Sequence, residues 1–150
     1  MKQPELSLLG KRVLIVDDEP DIREFISYNL TKRGFLVAVA CDGTEGYSLA
    51  LKFEPDLILL DVLMPGLNGF ETCMRLRSNE RFDNTQIVFL SALTQSYSKD
   101  LGFRMNADAF ITKPVRMELL VRKIEQLMSE KAFLKVTAEA SRLRDSSTSV

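Results

Sequence analysis

Apolar positions along the chain switch between two spacings, and the switching predicts an alternating fold. Val13–Val16 is an unbroken apolar run with β-branched residues, set between Lys11-Arg12 and Asp17-Asp18-Glu19-Pro20. So short a run, apolar at every position, predicts a strand covered on both faces. From Asp21 onward Ile22, Phe25, Ile26 and Leu30 fall at helical spacing, with Pro20 placed for a first turn and Gly34 for a stop. The alternation repeats as a strand over Phe35–Ala40, a helix over Thr44–Phe53, a strand over Leu57–Leu60, a helix over Gly69–Ser78 and a strand over Ile87–Leu90. Pro55 and Asp83-Asn84 punctuate it. A weaker helical pattern covers Ser96–Asn106, with Asn106 suited to a left-handed cap, and a short strand follows at Ala109–Thr112. From Val115 the stripe Met117, Leu120, Val121, Ile124, Leu127 and Met128 predicts the last helix.

Five strands alternating with five helices predict an α/β fold, a doubly wound parallel sheet covered on both faces. The ligand site of such a sheet lies beyond the carboxyl ends of its strands. Those ends carry Asp17 and Asp18, then Asp61, Ser91 and Lys113. Carboxylates gathered at one rim raise one another's pKa unless a cation sits among them. Donors that are all oxygen suit Mg²⁺, with Mn²⁺ as the alternative, and a lysine among the acids suggests a bound anion.

Composition removes competing chemistries. The 150 residues are 45% apolar and 27% charged, enough for one domain that folds without staples. There is no histidine, so catalysis of the Ser-His-Asp or Cys-His kind and a phosphohistidine on this chain are excluded. Twenty basic against 21 acidic side chains give a net charge of −1, so no direct nucleic-acid contact is expected. Met1–Gly10 has no signal-peptide core, and no apolar run nears the roughly 20 residues that cross a bilayer; a cytoplasmic protein with no membrane contact is expected. Cys41 and Cys73 are too few for a disulfide framework and are expected to be small buried thiols.

Four motifs in order carry a family resemblance: Asp17-Asp18 after an apolar strand, Asp61-Val-Leu-Met-Pro65-Gly-Leu-Asn-Gly69, Ser91-Ala92, and Phe110-Ile-Thr-Lys113-Pro114. Each alone has a plain reading: acids in a helix's first turn, a loop aspartate, a core phenylalanine, a surface lysine. Together they resemble the response-regulator receiver domain of two-component signalling, chemotaxis-regulator-like, over about residues 10–128. The resemblance implies a flavodoxin-like sheet in the order 2-1-3-4-5. It implies that Asp61 accepts a phosphoryl group from the phosphohistidine of a sensor histidine kinase or histidine phosphotransfer protein. It also implies that Asp18, Asp61 and the backbone carbonyl of Leu63 bind Mg²⁺ directly, and that Asp17 acts mostly through water. Lys113 then pairs with the phosphoryl oxygens, Ser91 is the switch hydroxyl, Phe110 is the aromatic that moves inward, and Lys113-Pro114 is a cis bond. The protein is expected to be a signalling switch, not an enzyme. It would act on a partner or an output domain, or pair with a second copy, through the last two helices and the strand between them.

Two other families use similar parts. A phosphatase of the haloacid-dehalogenase type needs Asp-x-Asp after its first strand and an acidic pair after the lysine, whereas here the acids adjoin and only Glu118 follows Lys113-Pro114. A flavin-binding module needs a Ser-, Thr- and Gly-rich phosphate loop where Asp17-Asp18-Glu19 stands. Within the receiver reading, Leu63 and Leu93 sit two residues beyond Asp61 and Ser91 and cannot hydrogen-bond an attacking water, so slow self-dephosphorylation is expected. Asn68 and Glu71 have the spacing of a helix cap. The domain organisation expected is a lead-in over 1–10, the receiver over 11–128, and a helical extension or linker with a disordered end over 129–150. That extension could form a coiled coil with a second copy or lead to an effector.

Overall fold

The computed structural model describes residues 8–92 and 106–148. In chain order the elements are β1 (Arg12–Val16), α1 (Pro20–Lys32), β2 (Leu36–Ala40), α2 (Gly43–Phe53), β3 (Leu57–Asp61), α3 (Gly69–Arg77), a 3₁₀ turn (Glu80–Phe82), β4 (Gln86–Ser91), β5 (Ala109–Thr112) and a C-terminal helix (Met117–Thr148). All strand pairs are parallel, and the sheet order is β2-β1-β3-β4-β5. Every expected strand is present within a residue of its expected bounds. The helix expected over Ser96–Asn106 lies outside the described residues except for Asn106, which is left-handed at φ 60°.

Strand alternation divides the core into two layers. In β1, Val13 and Ile15 point into the layer shared with Ile26 and Leu30 of α1 and with Leu120, Val121, Ile124 and Leu127 of the C-terminal helix. Leu14 and Val16 point the other way, to Ala50 of α2 and to Cys73 and Leu76 of α3. All five residues of β3 are buried, as its uninterrupted apolar run predicts for a central parallel strand. Each such leucine or isoleucine contributes about 1.5–3 kcal/mol by leaving water.

Pro20 occupies the first turn of α1, and Gly34, at φ 94°, follows the helix end. Phe25 departs from the expected apolar stripe: it is half exposed, because buried Ile26 and Leu30, with half-buried Ile22, form the line that faces the core and Phe25 lies to one side of it. Asn68 caps α3, its side chain accepting the Glu71 N–H at 2.9 Å. Cys73 is buried as expected, but Cys41 is exposed; it follows the edge strand β2, and its Sγ lies 2.8 Å from the Glu45 carboxylate.

The C-terminal helix begins at Met117, two residues later than expected, and has 32 residues. At 1.5 Å per residue it is about 48 Å long, and Met128 is the last buried residue among those described. The helix runs on to Thr148; once a helix is formed, each further residue gains one backbone bond. No helix among the described residues is long and apolar enough to cross a membrane.

Candidate functional site

The register of the sheet brings the expected polar residues to one rim. Val16 is level with Leu60, Asp61 with Leu90, and Ser91 with Thr112, so Asp17, Asp61, Ser91 and Lys113 leave neighbouring strands at the same edge. Asp17, Asp61 and Ser91 are buried, and Asp18 and Lys113 are half buried. The Lys113 main chain is fixed there: its N–H donates to the Ser91 carbonyl at 2.7 Å, and the bond to Pro114 is cis.

The Lys113 ammonium lies 2.9 Å from Asp17 Oδ2, 3.4 Å from Glu19 Oε1 and 3.5 Å from Asp61 Oδ2. One cation thus faces three carboxylates. Burial raises the Asp61 pKa from its ordinary 3.8 to about 7; the charge of Asp17 and the Asp18 side chain push the same way, and Lys113 and the Leu63 N–H oppose them. Burial alone would lower the pKa of Lys113, but Asp17, Asp61 and Glu19 outweigh it and the net shift is upward.

Oxygen atoms of Asp17, Asp18 and Glu19 lie within 4.8 Å of one another. Asp17 Oδ1 accepts the Glu19 N–H at 2.9 Å, and for the buried Oδ2 the partner among the described residues is the Lys113 ammonium at 2.9 Å, off the ideal hydrogen-bond direction. A buried carboxylate oxygen that shares one ammonium with two other carboxylates, beside a carboxyl whose pKa is raised to about 7, fits a rim that a hard divalent cation would complete. Leu63 sits two residues past Asp61, its N–H 3.3 Å from Asp61 Oδ1 and its side chain 56% exposed at the mouth of the site. Leu93 lies outside the described residues.

Behind the rim, Ser91 ends β4 and Phe110 lies in β5, level with Phe89. The Phe110 and Phe89 rings are 6.2 Å apart, and Phe89 packs edge-to-face on Phe70 of α3 at 5.2 Å. A close approach holds the loop beneath the site: a Cβ on Gly69 would stand 2.2 Å from the Asp61 carbonyl oxygen, so the start of α3 packs directly on the end of β3.

Two neighbours were not singled out in the sequence. Glu19 reaches Lys113, and Arg23 donates to the Asp17 carbonyl at 2.6 Å from one turn into α1. The acidic run Asp17-Asp18-Glu19 was a signal for the first. Nothing in the spacing distinguished Arg23 from a solvated helix arginine.

Comparison with known proteins agrees with this arrangement. The family model of the response regulator receiver domain matches residues 13–125. A DNA-binding dual master transcriptional regulator, RpaA of Synechocystis, is 40% identical over 117 residues, covering 78% of this chain and 48% of its own. The chain therefore spans about half the length of that curated relative. The chemotaxis protein CheY4 of Vibrio cholerae superposes with a TM-score of 0.76 at 32% identity, covering 79% of this chain and 98% of the other. The BeF3-activated N-terminal receiver domain of Klebsiella pneumoniae RstA does so with a TM-score of 0.73 at 26% identity, covering 79% and 98%. With its sheet order and its acidic rim around a lysine, this chain belongs to the response-regulator receiver domain family.

Proposed function

We propose that this chain is a phospho-accepting switch in which Asp61 receives a phosphoryl group from a partner's phosphohistidine. The observation that carries the reading is the Lys113 ammonium within 3.5 Å of both Asp17 and Asp61, at the rim where the strands end. In the transfer an ionised Asp61 oxygen forms a bond to phosphorus as the donor's N–P bond breaks. The donor imidazole keeps the electron pair and takes up a proton. Lys113 turns to the phosphoryl oxygens, and the buried position of Asp61 keeps bulk water from the new acyl phosphate.

Asp18 and Asp61, with the Leu63 carbonyl, would hold Mg²⁺ directly, and Asp17 through water. The ion supplies positive charge for the carboxylates and the phosphoryl oxygens. The Ser91 hydroxyl then turns toward the phosphoryl group and Phe110 moves inward against Phe89. The change is read on the face that includes β5 and the start of the C-terminal helix.

The donor is a sensor histidine kinase or a histidine phosphotransfer protein, and the compartment is the cytoplasm. The switch occupies residues 11–128 and the rest of the C-terminal helix extends from it, toward an effector or a second copy. The DNA-binding named for the Synechocystis relative belongs to a protein about twice as long, and no direct nucleic-acid contact is assigned to these residues. Leu63 offers no hydrogen bond to a water attacking the phosphoryl group, so the phosphorylated state decays slowly.

Incubation with acetyl phosphate and Mg²⁺, followed by intact-mass measurement, tests the reading. The wild type is expected to gain one phosphoryl group and to keep it for minutes, while Asp61→Asn gains none. An unmodified wild type overturns the switch; loss within seconds overturns the slow decay alone.

A further inference from the structure

Glu19 stands where a helix cap belongs but does not cap. Its backbone is in the N-cap conformation of α1, yet its side chain makes no hydrogen bond to the helix N–H groups. Instead its Oε1 lies 3.4 Å from the Lys113 ammonium, while its own N–H holds Asp17 Oδ1 at 2.9 Å. The three carboxylates around Lys113 differ in kind. Asp17 and Asp61 are almost fully buried, whereas the Glu19 side chain is 58% exposed and, among the described residues, bonds Lys113 alone, so it can swing into water.

We propose that Glu19 is a positioning residue that competes with the incoming anion for Lys113. The inference rests on the phospho-acceptor reading above and adds a regulator to it. With no anion present, the Glu19 carboxylate occupies the solvent side of the ammonium. A phosphoryl group on Asp61, or an anion resembling one, must displace it and then sit beside its negative charge. Glu19 therefore opposes the phosphorylated state, although it touches no reacting atom. Toward a cation the sign reverses. The same carboxylate lies within 4.8 Å of oxygens of Asp17 and Asp18, so its charge favours Mg²⁺ in the rim. A partly exposed pair of this kind is worth about 0.2–1 kcal/mol, or roughly a 1.5- to 5-fold change in a binding constant. The effect should shrink in high salt, where charges at the surface are screened within a few Å.

The opposite signs give the test. Beryllofluoride binding in saturating Mg²⁺, and Mg²⁺ binding alone by calorimetry, are measured on the full chain for wild type, Glu19→Gln and Glu19→Asp, with thermal melting as a check of folding. Glu19→Gln is expected to bind beryllofluoride about 3-fold more tightly and Mg²⁺ about 2-fold more weakly. Glu19→Asp keeps the charge but is one methylene shorter; it is expected to keep wild-type Mg²⁺ affinity while shifting part of the way in beryllofluoride affinity. Unchanged beryllofluoride affinity in Glu19→Gln overturns the inference, and so does a shift of both ligands in one direction, which a merely structural role would produce. If the wild type binds no beryllofluoride, the phospho-acceptor reading falls and the inference with it.

Discussion

At the amino ends of the strands Arg77 meets a partner with every donor that points inward. Its Nε donates to the Asn106 carbonyl, one guanidinium nitrogen to the Phe82 and Thr85 carbonyls, and the other to Asp108 Oδ2, at 2.8–3.0 Å. Asp108 in turn accepts the Ile87 N–H at 2.8 Å. At the carboxyl ends the single Lys113 ammonium is shared by three carboxylates, one of them with a pKa raised to about 7. Both rims hold partly buried charge. The satisfied one ties α3, β4 and β5 together, and the unsatisfied one holds more carboxylates than its single lysine balances.

The largest effect is expected from breaking the satisfied rim. Arg77→Met leaves Asp108 without its cation and three carbonyls without a donor, and should cost about 3–5 kcal/mol of stability in urea unfolding. The molecules that remain folded should still accept a phosphoryl group. Loss of phosphorylation in the folded fraction would join the two rims and break the contrast.

Gly69→Ala comes next, because it attacks the support of the unsatisfied rim. The added Cβ would meet the Asp61 carbonyl oxygen at 2.2 Å and Val62 Cα at 2.7 Å, both backbone atoms that cannot rotate aside. A cost of about 1–3 kcal/mol is expected in thermal unfolding, together with slower acetyl phosphate labelling as Asp61 is displaced.

A smaller effect separates stability from function. The Asp61 pKa is raised from 3.8 to about 7, so between those values the folded state holds a proton that the unfolded state has released. Stability contributed by this group is therefore full below pH 4 and is lost as pH rises toward and through 7. In metal-free buffer Asp61→Asn should be more stable than wild type by about 1–2 kcal/mol at pH 8, with the gain vanishing near pH 4. Melting curves across this range check the sign. The smallest effect is expected from truncation after Val136: of residues 137–144 only Ala140 is partly buried and the rest are exposed, so the unfolding midpoint should move by no more than about 0.5 kcal/mol equivalent.

The sheet was legible because its strands are short, apolar and bounded by charge or turn residues. Val13–Val16 and Leu57–Leu60 could be placed to within a residue, and the carboxyl rim followed from the alternation alone. Sheet order came from the family resemblance, since periodicity carries no neighbour information. What spacing could not show was the difference between Asp17 and Glu19, two residues apart in one acidic run. Only the turn into α1 buries one and leaves the other 58% exposed against the same lysine. Arg77 was equally silent in the sequence. A helix arginine is ordinarily solvated, and its four partners come from two separate segments, before β4 and before β5.

The central claim is that the carboxyl rim is unsatisfied until a cation completes it around Asp61. Thermal melting at pH 8 of wild type and Asp61→Asn, without metal and with saturating Mg²⁺, tests it most directly. Without metal the variant is expected to be the more stable. Mg²⁺ at about 100 times its Kd should stabilise the wild type by about 2.7 kcal/mol, more than that deficit, and so reverse the order, while leaving the variant nearly unmoved. Equal responses of both proteins to Mg²⁺, or none from the wild type, would contradict the account.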